Sequence, residues 1–170
     1  MFGTREAIEA ARAVVELRRH YSNPPKTERG LDPILFGYLR GAYPKVSVTR
    51  QMQITFSSSM RPSRIDFRVG GTNPTVLEFA VRPADGQQQL NGPQNHQELL
   101  KLSKVVPSKA KRRILLLLDL KKTPVQKRAL KLAYDKLNAG RGRKARHPVT
   151  VVYVHTASQY SFCWRPLKRK

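Results

Sequence analysis

Cysteine is nearly absent from this sequence, which limits how the chain can be stabilised. Cys163 is the single cysteine among 170 residues, so an internal disulfide is excluded. A lone thiol fits a reducing compartment, and we expect a cytoplasmic location. The first 19 residues contain three glutamates and lack the apolar stretch of a signal peptide, so we expect no secretion.

Long apolar runs are also missing. The longest run, residues 114–118, has the length of a strand and is far shorter than the ~20 residues that cross a bilayer. The sequence has no lipidation motif and no basic amphipathic helix with bulky aromatic residues. We therefore expect no membrane partner.

Several common catalytic signatures are absent too. The sequence contains no GxxxxGK[ST] loop, no glycine-rich dinucleotide fingerprint, no HExxH and no CxxC pair. Its four histidines are scattered along the chain. These absences argue against P-loop, dinucleotide-dependent, zinc-protease and CxxC chemistry.

Acidic residues are scarce relative to basic ones, and the imbalance is uneven along the chain. Lys and Arg number 33 against 11 Asp and Glu, which gives a formal net charge of +22. Residues 101–170 hold 20 of the basic and 2 of the acidic side chains, a net of +18. Because such an excess repels itself unless a polyanion lies nearby, we expect a nucleic acid as the partner, DNA rather than RNA.

Two basic segments are the candidates for contact with the phosphate backbone. A predicted helix that begins at Thr123 and Pro124 and ends near residue 138 has a basic outer face, and residues 141–147 form a basic loop. The candidate residues in these segments are Lys127, Arg128, Lys131, Arg141, Arg143, Lys144 and Arg146. Contacts of this kind grip the backbone without reading bases.

The stretch over residues 64–83 organises the rest of the chain. Two runs of alternating apolar residues flank a Gly-Gly-Thr-Asn-Pro turn, which predicts a β-hairpin. Asp66 lies in the first strand and Glu78 in the second, each among apolar neighbours. Two acids that meet in a half-buried sheet repel each other unless a cation lies between them. A divalent metal is one interpretation, and ordinary ion pairs with neighbouring arginines are the other.

The remaining patterns predict a single α/β domain over residues 1–170. Helical spacing predicts a first helix over residues 5–20, and Asp32 with Pro33 indicates the start of a second, short helix. The unalternated run at residues 114–118 is typical of a central parallel strand. The other predicted elements are a strand at 45–56, a helix at 93–104, the helix that starts at Thr123, and strands at 149–155 and 160–165.

With the hairpin acids, this element order resembles the restriction-endonuclease-like superfamily, also called PD-(D/E)XK nucleases. The resemblance covers about residues 5–120. Arg64-Ile65-Asp66 matches the first half of the family motif, and Glu78-Phe79-Ala80 matches its Glu-x-Lys except that Ala80 replaces the Lys. The resemblance implies an αβββαβ core with a mixed central sheet flanked by helices, and a divalent-metal-dependent endonuclease.

The resemblance also implies a set of ligands. Asp66, Glu78 and the carbonyl of Phe79 would hold Mg²⁺ or Mn²⁺, together with an acid of the first helix, Glu16 or Glu9. Nucleases of this family that cut both strands often pair, so it further implies a homodimer.

The missing motif Lys calls for a substitute, because in the family it lies beside the attacking water. Lys101 is one candidate, since it shares a helical face with Glu98. Arg82, four residues beyond Glu78, is another, although a guanidinium suits phosphate binding better than proton transfer. The alternative for Lys101 is an ordinary exposed helix residue.

Three functions stay open at this point. The first is an active metal-dependent nuclease. The second is an inactive relative that binds DNA or RNA, which Ala80 favours. The third is a structural nucleic-acid-binding protein of ribosomal type, which the charge of +22 favours.

Overall fold

The computed structural model describes residues 2–54, 63–85, 90, 93–138, 147–158 and 160–166. No helix within these residues is both long enough and apolar enough to cross a membrane. Their helices and strands, in chain order, are α1 (Thr4–Arg18), α2 (Glu28–Ala42), β1 (Val48–Ile54), β2 (Ser63–Val69), β3 (Thr75–Arg82), α3 (Pro93–Lys104), β4 (Arg112–Asp119), α4 (Lys127–Asn138), β5 (Thr150–His155) and β6 (Ser161–Trp164).

The six strands form one mixed sheet in which spatial order follows chain order. β1, β2 and β3 are an antiparallel meander, β3, β4 and β5 are parallel, and β6 returns antiparallel to β5. β4 is central and buried from Arg113 onward. This confirms the α/β class, the mixed sheet and the central parallel strand that the apolar run predicts.

Two helices cover each face of the sheet. On one face α1 and α2 pack Ala11 and Leu35 against side chains such as Leu116. On the other face Leu99 of α3 and Tyr134 of α4 pack with alternate residues of the same strands. Phe162 and Trp164 of β6 belong to this second core, whereas Tyr160, just before the strand, is 40% exposed.

Helix α2 begins four residues before the predicted start at Asp32. Thr27 caps it, since its Oγ1 accepts a hydrogen bond from the Gly30 N–H at 3.4 Å. Asp32 lies inside the helix, is buried and pairs with Arg50. The earlier start matters because it places Glu28 in the first turn of α2.

Helix α4 begins at Lys127, later than the predicted start at Thr123. The Thr123 carbonyl accepts a hydrogen bond from Arg82 at 2.7 Å, and the Val125 N–H donates to the Tyr153 hydroxyl at 2.8 Å. These contacts fix the preceding segment to the edge of the sheet. The Thr123 carbonyl is thereby used in a tertiary bond, whereas in a helix starting at Thr123 it would accept the first internal hydrogen bond.

Candidate active site

Asp66 lies at a gap between β2 and β3. The pairing of these strands ends at Phe67 and Leu77, one residue before Asp66 would face Glu78. The Asp66 side chain fills the gap, and its Oδ2 accepts a hydrogen bond from the Phe79 N–H at 2.9 Å. Because the N–H and C=O of one strand residue point toward the same neighbouring strand, the Phe79 carbonyl faces this gap as well.

The other side of Asp66 is also a break in the ladder. Arg50 pairs with Phe67 and Met52 with Ile65, but Gln51 and Asp66 between them form no pair. The Gln51 side-chain amide donates instead to Asp66 Oδ1 at 3.3 Å. Among the described residues Gln51 is the only non-glycine with a positive φ, 54°. Asp66 is therefore held by one backbone and one side-chain donor rather than by strand pairing.

Glu78 of β3 lies beneath α3, on the face of the sheet that it shares with Val76 and Ala80. Its side chain is almost fully buried, and Lys101 Nζ of α3 lies 2.7 Å from its Oε1. The same ammonium contacts the Glu98 carboxylate one helical turn earlier and donates to the Arg64 carbonyl at 2.7 Å. The predicted helix substitute thus reaches the motif acid. Its side chain is 19% exposed, so it is mostly covered and is not the exposed residue of the alternative interpretation.

Ala80 shows why a helix must supply this cation. It shares the face of Glu78, is 3% exposed and packs in the core beneath α3 and α4. A lysine stem and its charge at this position would lie among apolar side chains. Lys101 reaches Glu78 from the helix above, so its ammonium remains beside the acids.

Glu28, Asp66, Glu78 and Glu98 influence one another electrostatically, and we call them the acid cluster. Glu28 is the member that the sequence analysis missed. Glu28 is exposed at the surface of α2, yet desolvation by its neighbours, followed by repulsion from Asp66, Glu98 and Asp32, raises its pKa to about 7. A backbone hydrogen bond with Val81 of β3 opposes the rise. Glu28 therefore lies near the end of the hairpin, where the negative charge of Asp66 acts on it.

The pKa of Glu78 is raised by the same two effects. Burial, followed by repulsion from Asp66 and Glu98, holds the pKa of Glu78 far above its usual range, although Lys101 opposes the shift. Burial alone lowers the pKa of Lys101, but Glu78 and Glu98 raise it overall. One ammonium thus lies between two carboxyl groups, those of Glu78 and Glu98.

The donor set suits a hard divalent cation in its chemistry. Glu78 Oε1 and Glu98 Oε2 are both buried and lie against Lys101 Nζ, and carboxylate and carbonyl oxygens are the ligands that Mg²⁺ and Mn²⁺ prefer. Within the described residues, however, no three Asp, Glu, His or Cys side chains lie close enough together to hold an ion. Lys101 lies against two of the acids that would have to converge.

A solvent-filled cleft of about 230 Å³ gives access to Asp66. Its lining comprises Glu28, Arg29, Asp32, Arg50, Gln51 and Asp66. Arg50 pairs with Asp32 at its edge, and its guanidinium lies 6.0 Å from the centre of the Phe36 ring. The cleft therefore places arginines beside the acid cluster, as a phosphate group requires.

Two residues of the sequence-based site lie elsewhere. Glu16 of α1 is exposed, pairs with Arg19 at 2.8 Å and lines a separate cleft at the end of β5. The helix acid near Asp66 is Glu28 instead. Arg82 is mostly buried and makes two hydrogen bonds to Asp119, at 2.7 and 2.5 Å. Its guanidinium pairs with Asp119 and is only partly exposed, so phosphate binding by Arg82 stays a prediction that would require it to leave this pair.

The predicted phosphate-binding residues of α4 are accessible. Lys127 and Arg128 are exposed, Lys131 is half-buried, and all three line one shallow groove with Leu132. Lys127 Nζ lies 5.6 Å from the centre of the Phe162 ring. Arg141, Arg143, Lys144 and Arg146 lie outside the described residues.

Three residues of the site were missed in the sequence analysis, and the sequence pointed to them to different degrees. Glu98 was not among the predicted site residues, although the helical face that it shares with Lys101 was a signal that could have found it. Glu28 follows a capping Thr27, but the Asp-Pro pair downstream was a stronger start signal. Gln51 left no signal, because glutamine gives no hint of a left-handed backbone.

Comparison of the chain with protein-family models, curated proteins and solved structures gives no match in any of the three. Function is therefore inferred from the residues themselves.

Proposed function

We propose that this protein is a divalent-metal-dependent endonuclease of the PD-(D/E)XK type, which hydrolyses phosphodiester bonds in nucleic acid. The observation that carries the proposal is the position of Lys101, whose Nζ lies 2.7 Å from Glu78 Oε1 although the motif position itself holds Ala80. A buried lysine beside a buried acid has no evident purpose in stability, since an apolar pair of similar volume would serve as well.

The arrangement of elements supports the same proposal. α2 is followed by the antiparallel strands β1, β2 and β3, by α3, and by β4 parallel to β3. This order resembles the αβββαβ core that the likeness to restriction-endonuclease-like proteins implies. The acids lie on its second and third strands, where that family has them.

Each group of the cluster has a role in this mechanism. Asp66, Glu78 and the Phe79 carbonyl would hold Mg²⁺ or Mn²⁺, with Glu28 as the helix acid in place of Glu16. Such an ion would supply a water of lowered pKa and a counter-charge for the phosphate. Lys101 orients the attacking water and offsets negative charge that develops during attack.

The exposed cations supply binding rather than chemistry. Lys127, Arg128 and Lys131 on α4 contact phosphates without reading bases. DNA rather than RNA as substrate, a cytoplasmic location and a homodimer stay predictions that none of the described contacts tests.

A second candidate is a protein of the same fold that binds nucleic acid without cutting it. The ion pairs of Lys101 with Glu78 and Glu98 favour it, because they neutralise the acids internally. A structural role of ribosomal type accounts for the charge but leaves the buried acids without a purpose.

Cleavage assays distinguish these candidates. Plasmid, linear duplex, single-stranded DNA and RNA are incubated with Mg²⁺, Mn²⁺ or EDTA. We expect metal-dependent cutting that falls by about 100-fold or more in Asp66→Asn, Glu78→Gln and Lys101→Met. Asp85→Asn, which changes an exposed acid paired with Lys26, is the control and keeps wild-type activity. Intact substrate under every condition, with binding preserved, would support the non-cutting protein instead.

A further inference from the structure

A second cleft lies at the N-terminal ends of β4 and β5, where α1 begins, and shares no residue with the acid cluster. It measures about 460 Å³, within the range of about 300–1,000 Å³ typical of ligand sites. The lining residues are Gly3, Thr4, Arg5, Glu6, Lys111, Arg112, Arg113, Ile114, Pro148, Thr150 and Arg165.

The lining is strongly basic. It contains five Lys or Arg side chains and one acid, Glu6, whose carboxylate is engaged by the Gly3 N–H at 2.9 Å. Arg5 is paired with Glu9. Lys111, Arg112 and Arg165 are exposed and make no ion pair with an acid among the described residues. Such a concentration of like charge is unfavourable unless an anion offsets it.

Two of the arginines are held in position by the fold. Arg112 Nη1 donates to the Phe2 carbonyl at 3.2 Å and lies against Gly3, where an added Cβ would come within 2.6 Å of that nitrogen. Arg113 is 5% exposed, donates from Nε to the Val105 carbonyl at 2.6 Å, and keeps a buried Nη2 without a hydrogen-bond partner. The fold therefore restrains both guanidinium groups, which are not carried on freely moving side chains.

We propose that this cleft binds phosphate groups of a nucleic-acid backbone, as a second contact surface separate from α4 and from the acid cluster. The first-turn N–H groups of α1 add donors at the same place. The partner is a phosphodiester strand and not a lipid surface, because the site is concave and Ile114 and Pro148 are its only sizeable apolar residues. The inference concerns binding and does not require that the protein cuts its substrate.

The test is a salt titration of binding in EDTA, so that cleavage plays no part. Binding of a fluorescent 30-base-pair duplex and of a single-stranded RNA is followed by anisotropy. Lys111→Glu/Arg165→Glu is compared with Arg40→Glu/Lys45→Glu, which makes the same charge change at exposed positions outside the cleft. We expect the cleft variant to bind at least 10-fold more weakly, and the slope of log K against log salt to fall by about 2. The control should lose no more than 3-fold.

Two outcomes would overturn the inference. One is an equal loss in both double variants, which would assign the effect to overall charge. The other is unchanged binding to both nucleic acids while the cleft variant loses its affinity for vesicles of anionic lipid. Lys111→Ala/Arg165→Ala repeats the comparison should the charge reversal lower the melting temperature. Weaker binding by the cleft variant supports the inference even where the wild-type protein cuts nothing, so failure of the nuclease proposal remains a separate result.

Discussion

Gln51 has a backbone conformation that its side chain does not favour. A left-handed residue other than glycine costs about 1–2 kcal/mol, and here it coincides with the break in the β1–β2 ladder and with the hydrogen bond to Asp66. Strain of this kind persists where the surrounding structure imposes it, often at functional sites. We infer that Gln51 positions the Asp66 carboxylate.

At position 51 we expect glycine to give a more stable protein than alanine, the reverse of the usual order in a strand. Gln51→Gly relieves the strain and Gln51→Ala keeps it, while both remove the amide, so the glycine variant should be more stable by about 0.5–1 kcal/mol. Chemical denaturation measures the difference. Gln53, on the same strand but regularly paired with Arg64, is the control, and there alanine should be the more stable. The same ranking at both positions would show that residue 51 is unstrained, and unchanged cleavage in Gln51→Ala would show that its amide positions nothing.

Among the elements, the C-terminal ends of three parallel strands are joined by one polar network. Arg82 of β3 is bidentate to Asp119 of β4, whose carboxylate is fully buried and also accepts from the Tyr153 hydroxyl of β5 at 2.6 Å. Arg82 further contacts the Thr123 carbonyl before α4. This network fixes the strand ends and the start of α4.

Loss of Arg82 should therefore reduce stability and leave binding nearly unchanged. Arg82→Met leaves the Asp119 carboxylate buried without its cation, which we expect to lower the free energy of unfolding by about 3 kcal/mol. Arg128→Met removes the same charge from the exposed face of α4 and should do the reverse, weakening nucleic-acid binding at little cost in stability. Denaturant titration and anisotropy of both variants give the comparison. A phosphate-clamping Arg82 would instead weaken binding as much as Arg128 does.

For the whole molecule, the acid cluster links folding to pH. The pKa of Glu28 rises from 4.5 to about 7 on folding, so between these pH values the folded state binds more protons than the unfolded state. Stability should accordingly fall as pH increases through this window. Glu78, whose pKa is also raised, contributes a fall of the same sign that begins in the same range.

Glu28→Gln should remove part of this pH dependence. Between pH 5 and pH 7.5 in EDTA, the unfolding free energy of the wild-type protein should drop by about 2 kcal/mol more than that of the variant. This value is smaller than the full pKa shift would give, because Glu28 is partly exposed to solvent. Glu9→Gln, which changes an exposed acid of α1, should retain the full drop. Mg²⁺ should diminish the drop in the wild-type protein if the cluster binds it. Parallel curves for wild type and Glu28→Gln would mean that Glu28 titrates normally.

The sequence by itself determined the features that depend on local pattern. Alternation predicted the β2–β3 hairpin with Asp66 and Glu78, and the unalternated apolar run predicted the central strand β4. Helical spacing placed Lys101 and Glu98 on one face of α3. Each of these follows from periodicity, which a stretch of about ten residues expresses without reference to the rest of the chain.

Only the tertiary structure decided which of these residues meet. Glu28 and not Glu16 comes near Asp66 because α2 lies over the hairpin while α1 packs on β4 and β5. Arg82 is mostly buried because it pairs with Asp119, 37 positions away. Gln51 has its left-handed backbone where two strands fail to pair. Contacts between residues distant in sequence depend on how whole elements pack, and neither side-chain type nor spacing specifies that packing.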